Sequence, residues 1–303
     1  MTTSRRHDQA PPSDDWQRRF GGVARLFGAE AGAKLARARV LVVGIGGVGT
    51  WVAEGLARGG IGHIGLMDAD DVCITNTNRQ LHALDHTIGQ AKTRAMADRL
   101  RAIHPAIDLT VHEDFFGTAL THSVTDGNWD IVVDAIDALA AKSLLLACCH
   151  GHGIPVITCG GAGGKSDGTL VRTDDLARSV QDPLLRQVRK TLRKDFGFPR
   201  GEGVLFGIPS VFSIERPVFP RADGTICTSP EPGSSLRLDC TSGFGTAAHV
   251  TGAFGLAAAG LAIRAVAGSG GQQLRPFAKG GMEGKLPVGA KSFLARAARP
   301  DFE

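Results

Sequence analysis

The chain has 303 residues, 43% of them hydrophobic and 21% charged, with a net charge of +4 and a mean hydropathy of 0.00. These values exclude a disordered or fibrous chain and supply a core for one large domain, or a core domain with an extension. Six cysteines without a Cys-x-x-Cys pair argue against a four-cysteine zinc site and fit a reducing cytoplasm, and the mild basic excess permits an anionic partner without specifying one.

Residues 1–19 are polar and charged, lack the apolar core of a signal peptide, and are expected to form a mobile arm. Residues 22–38 have helical spacing. A strand is predicted at 40–44, then glycines and a helix over 48–59, and a second strand at 64–68. A helix near 89–103 stops at His104-Pro105, because proline cannot continue it. Further strands are expected at 108–112, 129–135 and 154–159, with a helix near 138–150 between the last two. This alternation predicts a Rossmann-like, doubly wound, mostly parallel α/β sheet with right-handed crossovers. Beyond Gly160 the pattern weakens: a basic helix over 182–195, short strands near 211–219, a helix over 241–267 and a basic Gly-rich tail over 268–303. Residues 241–263 are long enough to span a bilayer, but they are mostly small and only weakly apolar. A buried helix in close packing explains them better than a membrane span.

Three motifs carry chemistry. Gly44-Ile45-Gly46-Gly47-Val48-Gly49 lies between a strand and a helix, where backbone amides can approach a phosphate. Asp68 ends the next strand, placed for a ribose hydroxyl. Taken alone, this pattern favours NAD. The following polar stretch reverses that preference: Asp68 and Asp70 lead into Asn76, Arg79 and then Lys92. A triphosphate and a departing pyrophosphate need such cations; a nicotinamide cofactor does not. The third motif is Asp134-Ala135-Ile136-Asp137. Asp137, at a strand's carboxyl edge, is the choice for a Mg²⁺-facing acid, while Asp134 alternates to the other side and can cap the next helix.

In order and spacing these elements resemble the adenylation domain of ubiquitin-activating enzymes, ThiF and MoeB, over roughly residues 20–160. The resemblance implies that Gly44, Gly46, Gly47, Gly49, Asp68, Asp70, Asn76, Arg79, Lys92 and Asp137 bind ATP. Asn76, Arg79, Lys92 and Asp137 would be the catalytic set, with Asp137 holding magnesium. It also implies a homodimer. Two features depart from ThiF and MoeB: their zinc cysteines are absent, and Gly22 stands where an arginine crosses the dimer interface. Arg19 or Arg25 can substitute.

Nearly end to end the chain resembles the branch of the superfamily that dehydrates threonylcarbamoyladenosine in tRNA. The resembling segments are Arg19-Phe20-Gly21-Gly22, NTNRQLHAL at 76–84 and VDAID at 133–137, then, outside the shared motifs, CGGAGG at 159–164, QDPL at 181–184, DFG at 195–197 and DCTSGFG at 239–245. That branch implies adenylation of the threonyl carboxylate, then ring closure by its carbamoyl group with loss of AMP. A cysteine desulfurase or sulfur-acceptor system accompanies some members. Residues 161–267 would form the substrate part of one adenylating domain spanning 20–267.

Cys240, ahead of a helix, admits two readings: a thiol activated for a thioester, or a small buried residue beside a glycine turn. Arg186, Arg189, Lys190, Arg193 and Lys194 recur at helical spacing as one basic face suited to tRNA phosphates, and Lys279, Lys285, Lys291, Arg296 and Arg299 follow in the tail. The alternatives are adenylation of a ubiquitin-like sulfur carrier's C-terminus, an NAD-dependent dehydrogenase, and a non-catalytic nucleotide-binding scaffold. The missing zinc cysteines and the basic face weigh against the carrier.

Overall fold

The computed structural model describes residues 12–221, 223–229 and 244–268. A sheet of seven strands is flanked by helices on both faces, in the order β3-β2-β1-β4-β5-β7-β6. The strands are β1 (Arg39–Val43), β2 (His63–Met67), β3 (Asp108–His112), β4 (Ile131–Asp134), β5 (Val156–Cys159), β6 (Val171–Asp175) and β7 (Pro209–Ser213). All pairings from β3 through β7 are parallel, and β6 returns antiparallel against β7 at the edge. A short ribbon, β8 (Phe219–Pro220) with β9 (Ile226–Cys227), stands apart. β1, β2, β4 and β5 are almost wholly buried, as their continuous apolar runs require when helices cover both faces. The doubly wound expectation holds.

On one face lie α1 (Asp14–Phe27), α2 (Ala29–Arg37), α3 (Gly49–Arg58), α4 (Lys92–Ile103) and α8 (Ala248–Ala267). The other face carries α5 (Thr121–Thr125), α6 (Leu139–His152) and α7 (Pro183–Asp195), packed through Leu145, Leu185, Val188 and Leu192. The strand order runs outward from β1 to β3 on one side and from β4 onward on the other, so a crevice opens outside the carboxyl ends of β1 and β4.

The N-terminal region departs from expectation. Residues 14–19, expected to belong to a mobile arm, instead open α1, with Ser13 accepting the Trp16 amide as its cap; residues 1–11 of that expectation lie outside the described residues. Trp16 and Phe20 are buried, and the Trp16 indole donates to Gly60 O at 2.9 Å. The single helix read over 22–38 is two helices, divided at Gly28, whose φ of +96° suits glycine. The edge strand β6 has no counterpart in the sequence reading, since its VRTDD segment carries little apolar content.

α8 is long and apolar enough to cross a membrane, yet half of its apolar window is buried inside the protein. Its small residues serve close packing on α3. A Cβ on Gly255 would sit 2.5 Å from Trp51 Cβ and 2.6 Å from Val48 O, and one on Gly55 would meet Ala259 at 2.7 Å. The expected buried helix is therefore present, beginning at Ala248 rather than 241.

Candidate functional site

Three turns meet at the carboxyl edge of the sheet. The first is the glycine loop after β1. A Cβ on Gly49 would lie 1.7 Å from Gly44 O, and one on Gly44 would lie 2.8 Å from Ala135 O, so both positions require glycine. Gly46 faces open space on its Cβ side, with nothing within 4 Å. This is the approach that a phosphate needs.

Ile45, inside that loop, is fixed at both backbone groups. Its amide donates to Asp68 Oδ2 at 2.6 Å, and its carbonyl lies 3.2 Å from His82 Nε2. Asp68 Oδ1 also accepts the Asp70 amide at 2.9 Å. Burial pushes the Asp68 carboxyl up, opposed by these amides and by Lys92. Burial likewise pushes the His82 imidazole down to about 4, so it is neutral at pH 7 and donates from Nε2.

The loop after β2 delivers the other expected residues. Asn76 is buried, and its Oδ1 accepts the Cys73 amide at 3.0 Å, which shapes the turn. The Arg79 side chain lies over the glycine loop, its Cγ and Cδ 3.5 Å from where a Gly47 Cβ would be. Its guanidinium donates to Thr75 O at 2.8 Å and to Asn78 Oδ1 at 2.9 Å. Two donors hold the Arg79 carbonyl: Trp51 Nε1 at 3.2 Å and Thr251 Oγ1 at 3.1 Å. α8 thus braces the arginine loop. Lys92 is 6% exposed, opens α4, and meets Asp70 Oδ2 at 2.5 Å.

After β4, Asp134 and Asp137 part as the alternation predicts. Asp137 is exposed beyond the strand end. Asp134 is wholly buried; it accepts from Thr158 Oγ1 at 2.7 Å and pairs with Lys142 Nζ at 2.9 Å. It does not cap α6, whose N-cap is Ala138; its Oδ1 instead accepts the Ile136 amide at 3.1 Å. A lone exposed carboxylate fits Mg²⁺, which is held through one or two carboxylates together with substrate phosphates and water. Among the described residues no group of three or more His, Cys, Asp or Glu side chains could hold a metal without a ligand's help.

The chain belongs to the ThiF family. The family model described as "ThiF family" matches residues 21–280. The tRNA threonylcarbamoyladenosine dehydratase of Escherichia coli K12 is 46% identical over 253 residues, covering 83% of this chain and 94% of that protein. The crystal structure of the E. coli enzyme with ATP superposes with a TM-score of 0.74 at 42% identity, covering 84% of this chain and 96% of that one. Its complex with AMP superposes at 0.75 with 43% identity and the same coverage.

This ThiF-family chain thus brings Gly44, Gly46, Gly47, Gly49, Asp68, Asp70, Asn76, Arg79 and Lys92 to one edge, with the Asp137 turn against the glycine loop. Arg19 is engaged elsewhere, pairing with Asp15 at 2.8 Å and reaching Ile103 O at 3.5 Å. Cys240 and the basic residues from Lys279 to Arg299 lie outside the described residues. Cys148 and Cys149 are buried, and burial pushes the Cys148 thiol up to about 11, so neither suits a nucleophile.

The basic face stands apart from the glycine loop. Arg186, Arg189, Lys190, Arg193, Lys194 and Arg200 line a groove of about 640 Å³ on α7. Arg193 stacks on Phe206 at 4.9 Å, Arg189 donates to Ser179 Oγ, and Arg200 donates to Arg193 O at 3.4 Å, so three of the six are preset. A cavity of about 730 Å³ opens at the opposite edge of the sheet, among Glu30, Lys34, Arg37, Asp130 and Pro155, away from every motif above.

Sequence reasoning missed His82, Lys142 and Thr251. Lys142 carried a usable signal: a single lysine inside the apolar run LAAKSLLLACC is affordable only with a buried partner.

Proposed function

We propose that the chain uses ATP to dehydrate threonylcarbamoyladenosine beside the tRNA anticodon, closing a ring through an adenylated carboxylate. The observation that carries this reading is the pairing of an adenylation edge (glycine loop, Arg79, Lys92) with a separate basic groove on α7, in a chain 46% identical to a dehydratase of that name.

The chemistry follows from the edge. The threonyl carboxylate attacks the α-phosphorus of ATP; the bond to the bridging oxygen breaks, and pyrophosphate leaves. Arg79, braced by Trp51 and Thr251, and Lys92 face the charge that builds on the phosphates. The glycine-loop amides hold the nucleotide, and Asp68 takes the ribose. Asp137 would hold magnesium, which neutralises phosphate charge when bound. The neighbouring carbamoyl group then attacks the acyl carbon, loses a proton and expels AMP. No enzyme nucleophile is required, because the attacking group is tethered to the acyl carbon. The enzyme acts as a cytoplasmic homodimer in this reading, with the basic groove receiving tRNA phosphates.

Incubation with ATP-Mg²⁺ and tRNA bearing threonylcarbamoyladenosine, followed by mass analysis of the nucleosides, tests it. Loss of one water (about 18 Da) is expected, dependent on ATP and abolished by Arg79→Ala or Asp137→Ala. An unchanged nucleoside from folded, ATP-binding protein would sink the reading and leave a carrier-protein substrate in its place.

A further inference from the structure

The glycine-rich loop after β5 and the start of α7 are joined by two buried side chains of opposite charge. Lys165 is 4% exposed; its ammonium donates to Gln181 O at 3.0 Å and also to Glu215 O. Asp182 is 5% exposed and works in the reverse sense: Oδ2 accepts the Gly161 amide at 2.9 Å, and Oδ1 caps α7 by accepting the Leu185 amide at 2.8 Å. The approach is too close for any side chain at Gly160, whose Cβ would fall 2.0 Å from Asp182 Oδ2. Gln181, between the two contacts, has a φ of +53°, a region that a glutamine rarely occupies unless its surroundings hold it there. The lysine on its carbonyl is such a hold.

The joint continues inward. β5 carries Thr158 one residue before Cys159 and the loop, and Thr158 donates to Asp134, whose Oδ1 holds the Ile136 amide one residue before Asp137. On the outer side, α7 presents the basic groove. Bonded contacts therefore run from the turn bearing Asp137, through β5, to the N-cap of the basic helix. The Asp137 turn and the groove sit on different elements, and a substrate bound by its phosphates is useful only when its reacting carboxylate arrives at the nucleotide within about an ångström.

We propose that Lys165 and Asp182 form a clamp of positioning residues that sets the register between the phosphate-binding face of α7 and the adenylation crevice. The proposal rests on the reading of that face as a tRNA surface. Neither residue touches substrate in this role. Both act through the Gln181–Pro183 turn, whose proline preorganises the first turn of the helix. The segments GGAGGK at 160–165 and QDPL at 181–184 thereby become the two halves of one joint.

Full-length Lys165→Met and Asp182→Asn test the clamp, with the pair Lys190→Ala/Lys194→Ala as a charge control. Three quantities are read: tRNA Kd by filter binding, ATP Kd, and the single-turnover dehydration rate at saturating tRNA. Asp182→Asn keeps a capping side chain, so it reports even where Lys165→Met fails to fold. The clamp variants are expected to lower the saturated rate about tenfold or more with both Kd values held within about twofold, since groups are misplaced rather than removed. The charge control should raise tRNA Kd and flatten its salt dependence. Gln181→Gly in the Lys165→Met background should recover part of the rate, because glycine adopts a positive φ without a hold. A saturated rate within about twofold of wild type in a folded clamp variant overturns the proposal, as does a parallel loss of ATP affinity. If the charge control leaves tRNA binding and its salt dependence unchanged, the tRNA reading of α7 has failed and the register claim falls with it. Weakened binding in the control beside an intact rate in the clamp variants sinks the clamp alone.

Discussion

The Lys142 ammonium lies 2.9 Å from the Asp134 carboxylate, and neither side chain is exposed to solvent. Both also hold Ile136: Asp134 Oδ1 accepts its amide at 3.1 Å, and Lys142 Nζ donates to its carbonyl at 2.8 Å. The residue immediately before Asp137 is therefore fixed at both polar groups by one buried ion pair. Ile45 in the glycine loop is fixed alike by Asp68 and His82. The two turns touch at Gly44 and Ala135, so each restrains the other.

Removing one partner of the buried pair leaves a charge without compensation. Lys142→Met is expected to destabilise the protein by about 3–5 kcal/mol, whereas Asp134→Asn/Lys142→Met, which removes both charges, should recover part of that loss. Urea unfolding monitored by fluorescence of Trp16, Trp51 and Trp129 measures both. A double variant no better than the single would show that the pair does not act as a unit.

His82 makes stability depend on pH in a defined window. Its folded pKa is about 4, against about 6.5 in an unfolded chain, because burial disfavours the imidazolium and the Lys92 charge adds to that effect. Below pH 6.5 the unfolded chain takes up a proton that the folded protein refuses. Stability contributed by this group is therefore full above pH 6.5 and lost as pH falls towards 4, by up to about 3 kcal/mol. His82→Gln keeps a donor for Ile45 O without titrating, so its acid limb should be shallower. Thermal melts from pH 7.5 to 4.5 decide; identical limbs would remove His82 from the account. Burial also lowers His63, His104 and His112, so the limb shrinks without vanishing.

The sheet, its glycine loop and the gathering of Asp68, Arg79 and Lys92 at one edge were legible in the sequence because each is written locally. An apolar run such as VLVV needs burial on both faces, and glycines at 44 and 49 are dictated by backbone atoms less than 3 Å away. What was not legible depends on contacts across long separations. Thr251 reaches Arg79 over 172 residues, and Lys165 reaches Glu215 over 50. Nor does a polar N-terminus announce that Trp16 and Phe20 will be buried against Gly60. Asp134 illustrates the limit within a motif: its side of the strand was foreseen, but its partner lies a full turn inside α6.

The α3–α8 contact predicts opposite outcomes at two glycines of one helix. Gly255→Ala forces a methyl group against Trp51 and Val48 and should cost about 1–3 kcal/mol. At Gly260 an added Cβ meets only the flexible Arg264 guanidinium, at 3.5 Å. Gly260→Ala should therefore leave stability unchanged or raise it by up to about 1 kcal/mol through helix propensity. Melting temperatures of the two variants give the comparison; equal destabilisation would refute close packing as the reason for the small residues. Because α8 also braces Arg79 through Thr251, Gly255→Ala should weaken ATP binding as well, and Gly260→Ala should not.

The basic groove predicts a salt dependence. Each phosphate that the protein no longer neutralises lowers the slope of log K against log salt by about 0.7–0.9. Lys190→Ala/Lys194→Ala should reduce that slope by roughly 1.4–1.8 and weaken tRNA binding most at low salt. Arg193, already stacked on Phe206 and bonded to Pro199 O at 3.3 Å, is more rigid than either lysine. Its guanidinium gives up less side-chain freedom when it meets a phosphate, so Arg193→Lys should weaken binding even though the charge is kept. Filter binding of one tRNA from 50 to 300 mM KCl (a range chosen on the order of physiological screening) separates the cases. Parallel slopes for wild type and the double variant would move the tRNA surface off α7.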